Sequence, residues 1–197
     1  MKKIVLLALV ACGPWACSSS APEIDYYTLG TRAGVRVEAP VNVSVDRLLT
    51  TEALARRGIM VSPSDTRVAY HGTSQWAEGL GGLVQRRLAA AFGPPLEGRR
   101  TVRLSGTVLS CGEVVQSGER LAKVELELEV REAESSSHTP PLLARTYRAE
   151  LPVTGSGEDV DGLVRALGLA LDRIAAAIAR DLGELAPRSR SITNNPG

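Results

Sequence analysis

The stretch KVELELEVR at residues 123–131 decides the fold, because apolar and charged side chains alternate in it without a break. Successive side chains of a β-strand point to opposite faces of the sheet. One face of this strand therefore carries only the apolar members, which are Val124, Leu126, Leu128 and Val130. Strands with one packed face and one wet face are typical of antiparallel sheets. The sequence thus predicts a sheet that is covered on one side.

The glutamates on the other face of this strand admit two interpretations. Glu125, Glu127 and Glu129 could bind a cation, because hard cations prefer oxygen ligands. Side chains two residues apart on a strand, however, lie about 7 Å from each other and do not converge. We therefore expect a solvated face on which these glutamates pair with arginines of neighbouring strands.

Strand patterns continue on both sides of this stretch. Residues 101–116 and 120–132 are separated by Ser117-Gly118-Glu119, which predicts a hairpin. Residues 144–152 form a further strand pattern after a loop at 135–141 that contains two prolines.

Shorter strand patterns precede the long hairpin. Residues 41–45 alternate with period two. Residues 59–61 and 67–70 predict another hairpin, with its turn at 62–66. The segment 50–57 is predicted to be a loop or a short helix, since its apolar face is small.

The last predicted element is a helix over residues 159–185. Its apolar residues recur every three or four positions, at Val160, Leu163, Val164, Leu167, Leu171, Ile174, Ile178, Leu182 and Leu185, while charged residues such as Asp172 take other faces. Ser156 and Asp159 resemble a weak capping box. A dimeric coiled coil would use the same spacing, but packing on the sheet is favoured because one-faced strands need a cover.

A second amphipathic helix is predicted over residues 76–92, with Ser74 as its cap. The apolar stripe consists of Trp76, Leu80, Leu83, Val84, Leu88 and Phe92, and the opposite face carries Gln85, Arg86 and Arg87. Glycines at 79, 81 and 82 weaken the first turns by up to ~1 kcal/mol each relative to alanine. A backbone lying close against the sheet would explain them.

The order of the elements predicts an α/β (α+β) two-layer sandwich, in which a largely antiparallel sheet carries two amphipathic helices on one face. The 197 residues, 44% of them hydrophobic, suit one domain of ordinary size. We assign residues 1–16 to a signal peptide, 17–25 to a tether, 26–186 to the domain and 187–197 to a polar, disordered tail.

Composition excludes several classes of partner. The chain has 23 Lys+Arg against 22 Asp+Glu, a formal charge of +1, so no global field attracts nucleic acid or anionic lipid. A single Phe and two Trp offer no stacking platform for bases. No nucleic-acid partner is therefore expected.

The N-terminus predicts an exported lipoprotein. Lys2 and Lys3 precede an apolar run at residues 4–11, which is far shorter than the ~20 residues that span a bilayer. An ordinary secretory signal with incidental cysteines is the less favoured alternative. The chain is therefore expected to be exported and held to a membrane by a lipid anchor.

Two cysteines compete for lipidation. Leu9-Val10-Ala11-Cys12 fits the pattern of small and branched residues before a lipidated cysteine, whereas Pro14-Trp15-Ala16 before Cys17 fits it poorly. Cys17 leaves the longer apolar region and is followed by Ser18-Ser19-Ser20-Ala21-Pro22, a polar linker typical of a tethered domain. Cys17 is favoured, with Cys12 as the alternative.

An enzyme is not expected. His71 and His138 lie in loop-like positions far apart, and the sequence carries no zinc spacing, phosphate loop or nucleophile elbow. Cys111 lies inside an apolar strand pattern, where an inert core thiol is expected. We predict no catalytic residue, no metal and no cofactor beyond the covalent lipid.

Two motifs occur in order along the chain. The first is Tyr26-Tyr27-Thr28-Leu29, some nine residues after Cys17, and the second is the strand at 67–70 that leads to Trp76-Ala77-Glu78-Gly79-Leu80. Together they resemble the ABC-type transport auxiliary lipoprotein family, which includes paraquat-inducible protein C-like subunits. The resemblance covers nearly the whole chain, and its spacing favours Cys17. Gly79 departs from the pattern, because a proline is commoner there.

The resemblance implies a periplasmic subunit, usually on the outer membrane, that works with an MCE-domain (mammalian cell entry) protein and an inner-membrane transporter to move lipids or other hydrophobic molecules. It makes Tyr26, Tyr27, Leu29, Trp76 and Glu78 candidates for partner binding. Ser18 after the cysteine favours the outer membrane over the inner one. The alternative class is an outer-membrane assembly or structural lipoprotein.

Each candidate also has a purely structural interpretation. Tyr26 and Tyr27 could add a strand to a partner, or to a neighbouring copy in a homo-oligomer, or they could close the protein's own sheet. Trp76 could belong to the core. Glu78 could stabilise the first helical turn through the macrodipole.

Overall fold

The structure is a computed structural model that describes residues 22–30, 36–64, 66–135, 138–155 and 159–185. The elements, in chain order, are β1 (Asp25–Tyr27), β2 (Asn42–Val45), β3 (Leu49–Thr50), a 3-10 helix (Glu52–Ala55), β4 (Gly58–Ser64), β5 (Arg67–Trp76), α1 (Leu80–Phe92), β6 (Thr101–Gln116), β7 (Glu119–Glu132), β8 (Leu143–Pro152) and α2 (Val160–Leu185). The signal peptide with Cys12 and Cys17, most of the tether, and the tail at 187–197 lie outside the described residues.

One sheet contains all of these strands. Its order is β1-β5-β4-β6-β7-β8, while β2 and β3 pair with β6 beside β4. The long ladders of β6 with β7 and of β7 with β8 are antiparallel. The shorter ladders of β1 with β5, and of β2, β3 and β4 with β6, are parallel. The sheet is mixed and mostly antiparallel, and both predicted hairpins are present. The β6–β7 hairpin has nearly the predicted bounds, whereas β4 and β5 are longer than predicted.

The alternation in β7 has the expected effect on burial. Val124, Leu126, Leu128 and Val130 are all at most 1% exposed and face the helices. On the other face, two of the three glutamates pair along their own strand, with Lys123 Nζ 3.1 Å from Glu125 Oε2 and Arg131 Nη2 2.9 Å from Glu129 Oε2.

The expected pairing with neighbouring strands is therefore largely wrong, for a reason that the register supplies. The residues of β6 opposite the three glutamates are Ser110, Thr107 and Ser105. On β8, only Glu125 faces an arginine, Arg148. The basic side chains that pair with Glu125 and Glu129 are Lys123 and Arg131, which lie two positions away on the same strand.

Helix α2 packs on the sheet, as predicted, and not in a coiled coil. Its contacts are with β6, β7, β8 and α1. The side chains of Leu163, Leu167, Leu171 and Ile178 are fully buried. Asp159 Oδ1 accepts a hydrogen bond from the Gly162 N–H at 2.9 Å, so Asp159 itself caps the helix. Ser156, the other half of the predicted capping box, lies outside the described residues.

Helix α1 begins four positions later than predicted. Trp76 is the last residue of β5, and Ser74 lies in that strand and does not cap the helix. The Trp76 N–H donates to the Arg57 carbonyl at 2.7 Å, and the Ala77 N–H donates to the Tyr27 carbonyl at 2.8 Å. These hydrogen bonds keep residues 74–77 extended, so the helix starts only after them.

The backbone at the start of α1 lies close to another segment, as its glycines led us to expect, but that segment is a loop and not a strand of the sheet. A Cβ atom added at Gly81 would lie 2.1 Å from the carbonyl oxygen of Leu48. Leu48 lies between β2 and β3, so the close contact is with a loop at the sheet's rim and not with a strand. Gly79 occupies the N-cap position without a side chain to cap the helix.

The chain enters the domain at the end of the sheet where β6 turns into β7. Strand β1 runs parallel to β5, β5 runs antiparallel to β4, and β4 runs parallel to β6. It follows that β1 runs opposite to β6, so that residue 22 lies towards the end of β6. Residues 22–25 and the first turn of α2, whose Asp159 carbonyl accepts a hydrogen bond from Arg120 of β7, therefore share one end of the domain.

Candidate docking site

Most of the predicted partner-binding residues meet at one edge of the sheet. Strand β1 is the outermost strand there, and Tyr26 and Tyr27 lie opposite Gln75 and Trp76 of β5 in register. The hydrogen bond from Ala77 to Tyr27 extends this pairing by one residue. Two motifs that are far apart in the sequence are thus neighbours in the fold.

Burial separates these candidates into two groups. The side chains of Leu29 and Trp76 are 4% and 1% exposed and belong to the core. A partner could reach them only if the domain opened, which agrees with the structural interpretation of Trp76. Tyr26, in contrast, is 59% exposed and is the aromatic side chain that this edge presents to solvent.

Tyr27 points to the helix side of the sheet, since side chains of a strand alternate between faces. It is half-buried and packs against the hydrophobic core. Burial raises the pKa of its phenol, and the carboxylates of Asp161 and Asp25 add to the effect, while a hydrogen bond with Ser74 opposes it. Tyr27 therefore serves the fold, and Tyr26 lies on the open face of the sheet.

The outer side of β1 pairs with no strand within the described ranges. An unpaired strand edge presents backbone N–H and C=O groups that can accept another strand. Tyr26 lies beside these groups. The local arrangement suits the addition of a strand from another chain.

Glu78 lies immediately before the cap of α1. Arg86 Nη1 donates to Glu78 Oε2 at 2.8 Å, and this hydrogen bonding lowers the pKa of the carboxyl. Both side chains are nearly half exposed. The carboxylate is thus held beside the start of the helix, as the macrodipole interpretation requires, and it also remains accessible at the surface.

A buried ion pair behind this edge was missed at the level of sequence. Arg87 of α1 donates from Nε to Asp172 Oδ1 at 3.0 Å and from Nη2 to Asp172 Oδ2 at 2.8 Å. Its Nη1 donates to the carbonyl oxygen of Leu29 at 3.3 Å. Arg87 and Asp172 are each 7% exposed, so assigning them to solvent-facing sides of their helices was wrong.

The sequence did contain a signal for this pair. Arg87 follows Leu83 by four positions and Val84 by three, and it precedes Ala91 by four, so its spacing places it on the apolar stripe. A charge at such a position needs a buried partner, because an uncompensated buried charge is costly. Asp172, next to Leu171 of the other helix, is that partner.

A second charged cluster joins the β6–β7 hairpin to the start of α2. Glu113 accepts hydrogen bonds from Arg120 Nε at 2.8 Å and Nη2 at 2.9 Å, and His71 Nε2 lies 3.3 Å from its Oε2. Burial alone would raise the pKa of Glu113, but the hydrogen bonds and charge of Arg120, aided by His71, outweigh it and lower that pKa. Arg120 also donates to the Asp159 carbonyl at 3.4 Å.

This cluster connects elements and does not resemble a catalytic site. A carboxylate held by a guanidinium at low pKa is a poor general base. His71 lies in strand β5, so its assignment to a loop was wrong. Burial raises the pKa of the Cys111 thiol to about 12, which makes it the inert core cysteine that was expected.

Two further observations concern metal binding and membrane crossing in the described parts of the chain. No group of three or more His, Cys, Asp or Glu side chains there is placed to hold a metal ion. No helix there is long and apolar enough to cross a membrane.

Two cavities lie at the opposite end of the domain, where the helices finish. A cavity of about 770 Å³ opens between residues 36–43 and 92–99. The side-chain amide of Asn42 spans it, donating to the Leu96 carbonyl at 2.9 Å and accepting from the Leu96 N–H at 2.8 Å. A smaller, more apolar cavity of about 280 Å³ lies beside it, lined by Val41, Val102, Leu142, Leu182 and Leu185 among others.

Comparison with known structures supports the fold. A crystal structure of an uncharacterized protein matches with a TM-score of 0.61 at 19% identity, covering 82% of this chain and 99% of the other. Protein XCC0632 from Xanthomonas campestris, of family DUF330, matches with a TM-score of 0.63 at 17% identity, covering 80% of this chain and 94% of that protein. Comparison with curated proteins gives no match.

A family model gives the more specific result. The model of the ABC-type transport auxiliary lipoprotein component matches residues 27–179, from Tyr27 at the end of β1 through most of α2. This confirms the resemblance that the two motifs indicated. Members of this family are auxiliary components of transporters, and the family is not known as one of enzymes. The chain therefore belongs to the family of ABC-type transport auxiliary lipoprotein components.

Proposed function

We propose that this auxiliary lipoprotein works at the periplasmic face of the envelope with an MCE-domain protein and inner-membrane transporter subunits, and that the system moves lipids or other hydrophobic molecules. The observation that carries the proposal is the family match over residues 27–179. Transport of lipids is the finer part of the proposal and rests on the resemblance to paraquat-inducible protein C-like subunits.

The edge strand β1 is the proposed contact with the partner. Its outer side is unpaired within the described ranges, and Tyr26 stands 59% exposed beside it. A partner strand added there would gain main-chain hydrogen bonds, and a tyrosine could supply the aromatic anchor that often dominates an interface. A neighbouring copy could use the same edge, which would give a homo-oligomer.

The anchor places this edge close to a membrane. If Cys17 carries the lipid, the chain from Cys17 to Asp25 can extend at most roughly 30 Å. The docking strand is then the part of the domain that lies nearest the tether. We propose the outer membrane as its location, because Ser18 follows the cysteine. Mass spectrometry of the mature N-terminus distinguishes Cys17 from Cys12, and fractionation that found the protein in the inner membrane would contradict the location.

The docking proposal is tested by separating the two tyrosines. We expect Tyr26→Ala to weaken binding of the purified MCE-domain protein about tenfold or more, the effect typical of an aromatic hot spot, while the melting temperature stays unchanged. Tyr27→Ala is the matched variant, and it should lower the melting temperature because Tyr27 packs on the core.

The outcomes of this test bear on different parts of the proposal. Unchanged binding by the Tyr26 variant would reject β1 as the docking edge. If the wild-type protein did not bind the MCE-domain protein at all, the transport role itself would be rejected. A photo-crosslinker at position 26 that captured a barrel-assembly protein would favour the assembly or structural class.

A further inference from the structure

The Arg87–Asp172 ion pair joins three segments that are distant in sequence. Arg87 lies on α1, Asp172 lies on α2, and the Leu29 carbonyl that Arg87 contacts lies just after the edge strand. At Gly168 of α2, a Cβ atom would be 3.5 Å from Arg87 Nη2 and 3.6 Å from the Leu29 carbonyl oxygen. The guanidinium, the post-strand backbone and the second helix thus meet at one point.

The segment at residues 25–30 has few other attachments to the described domain. Strand β1 is three residues long, with Asp25 and Tyr26 exposed. Leu29 is the residue of this segment that is fully inserted into the core. Gly30 follows with a positive φ of 73°. It lies next to Arg87, because a Cβ atom at this position would be 3.4 Å from Arg87 Nη1. Leu29 and Arg87 are therefore the contacts that hold the residues after the β1–β5 ladder.

We infer that Arg87 is a positioning residue that locks the edge strand β1 to the helix layer. By holding the Leu29 carbonyl while it pairs with Asp172, it determines whether β1 stays on β5 and presents its outer edge to a partner. The effect on a partner rests on the proposed function, whereas the lock itself does not.

Burial and position explain why this contact matters. Removing one partner of a buried ion pair leaves a charge without compensation, so a small change there has a large local effect. The segment at 25–30 lies between the tether and the core, so a pull on the tether reaches β1 before any other element. The three-residue ladder between β1 and β5 is a weak attachment. The contacts of Arg87 with the Leu29 carbonyl and with Asp172 attach the segment to α1 and α2 as well, so that both helices resist a pull on the tether.

The test measures amide hydrogen exchange in the full-length, lipidated protein in detergent micelles. We expect Arg87→Lys, which loses the forked geometry, to speed exchange at residues 25–30 at least tenfold relative to the β6–β7 hairpin. Leu128→Ala is the matched control, because Leu128 is buried in β7, outside the three segments that the lock joins. It should raise exchange in both regions in proportion to the lost stability.

Two further variants keep the test decisive if Arg87→Lys folds poorly. Asp172→Asn keeps the shape of the partner while removing its charge. Gly30→Ala keeps both side chains of the ion pair, but it strains the backbone at a positive φ and brings a methyl group 3.4 Å from Arg87 Nη1. Selective exchange at 25–30 in both variants supports the lock, and proportionate exchange in both regions overturns it.

Binding to the MCE-domain protein decides the regulatory part separately. Loss of binding in Arg87→Lys, with Tyr26 intact, supports control of the docking edge. Selective exchange at residues 25–30 with unchanged binding would support the lock, but it would overturn the inference that the lock controls partner binding. If even the wild-type protein fails to bind, the proposed function fails, while the exchange result still decides the lock.

Discussion

The two helices of this domain are specified in different ways. Helix α2 has 26 residues, a capping aspartate and a regular apolar stripe whose leucines are buried except for Leu185 at its end. Helix α1 has 13 residues, no side-chain cap, glycines in its first turn and a buried arginine. Both pack on the same face of the same sheet. The position of α2 therefore follows from its own sequence, whereas the position of α1 depends on the residues that surround it.

The surroundings of α1 act at its start and along its side. Backbone hydrogen bonds of Trp76 and Ala77 to Arg57 and Tyr27 hold the preceding residues in the sheet. The Leu48 carbonyl sets how closely the first turn approaches the rim. Arg87 pairs with the other helix. None of these partners is adjacent to α1 in the sequence.

The largest effect is expected where α2 meets the sheet. Leu167→Asp would place a charge in a fully buried position, so it should lower the free energy of unfolding by about 4 kcal/mol or more, a large part of a domain's stability. Leu169→Asp, on the same helix but 49% exposed, should change it by less than about 0.5 kcal/mol. Urea denaturation measures both, and equal effects would show that α2 is not docked as described.

An intermediate effect is expected where α1 meets the rim. Gly81→Ala would bring a methyl group within 2.1 Å of the Leu48 carbonyl oxygen, and the required shift should cost about 1–3 kcal/mol. Gly82→Ala has nothing nearer than 3.8 Å and should stabilise the helix by up to ~1 kcal/mol. Thermal melting of the pair should show opposite signs. The same sign for both would mean that propensity, and not the close contact, governs the start of α1.

The smallest effect concerns the caps of the two helices. Asp159→Ala removes the hydrogen bond to the Gly162 N–H and should cost about 1 kcal/mol. Gly79→Ser supplies the side chain that α1 lacks and should gain a few tenths of a kcal/mol. Denaturation midpoints of the two variants should move in opposite directions. A loss of stability in Gly79→Ser would show that contacts outside the helix already satisfy its first turn.

Local pattern predicted most of the fold. The alternation in β7 and the stripe in α2 gave the right elements and the right faces, because each of these segments buries one side along its whole length. The pairing of the outward glutamates was mostly mispredicted, since the choice of partner depends on register. Ser110 and Thr107 stand opposite them on β6, where arginines were expected.

The candidate site was predicted in part. The sequence identified the segment at residues 26–29 and the motif around Trp76, but it did not distinguish exposed Tyr26 from half-buried Tyr27 or from buried Leu29. It also assigned Arg87 and Asp172 to solvent. Whether a side chain at an edge is buried depends on which strand lies beside it, and that is a property of the assembled sheet.

The sequence by itself determined the two-layer class, the long hairpin, the last helix and the family, because these depend on periodicities and motifs within continuous stretches. Three features appear only in the tertiary structure. These are the start of α1, the exposure of Tyr26 rather than Tyr27, and the contacts by which Arg87 joins α1, α2 and the segment after β1. The physical reason is that these features depend on hydrogen bonds and close contacts between residues far apart in the chain, which local periodicity does not encode.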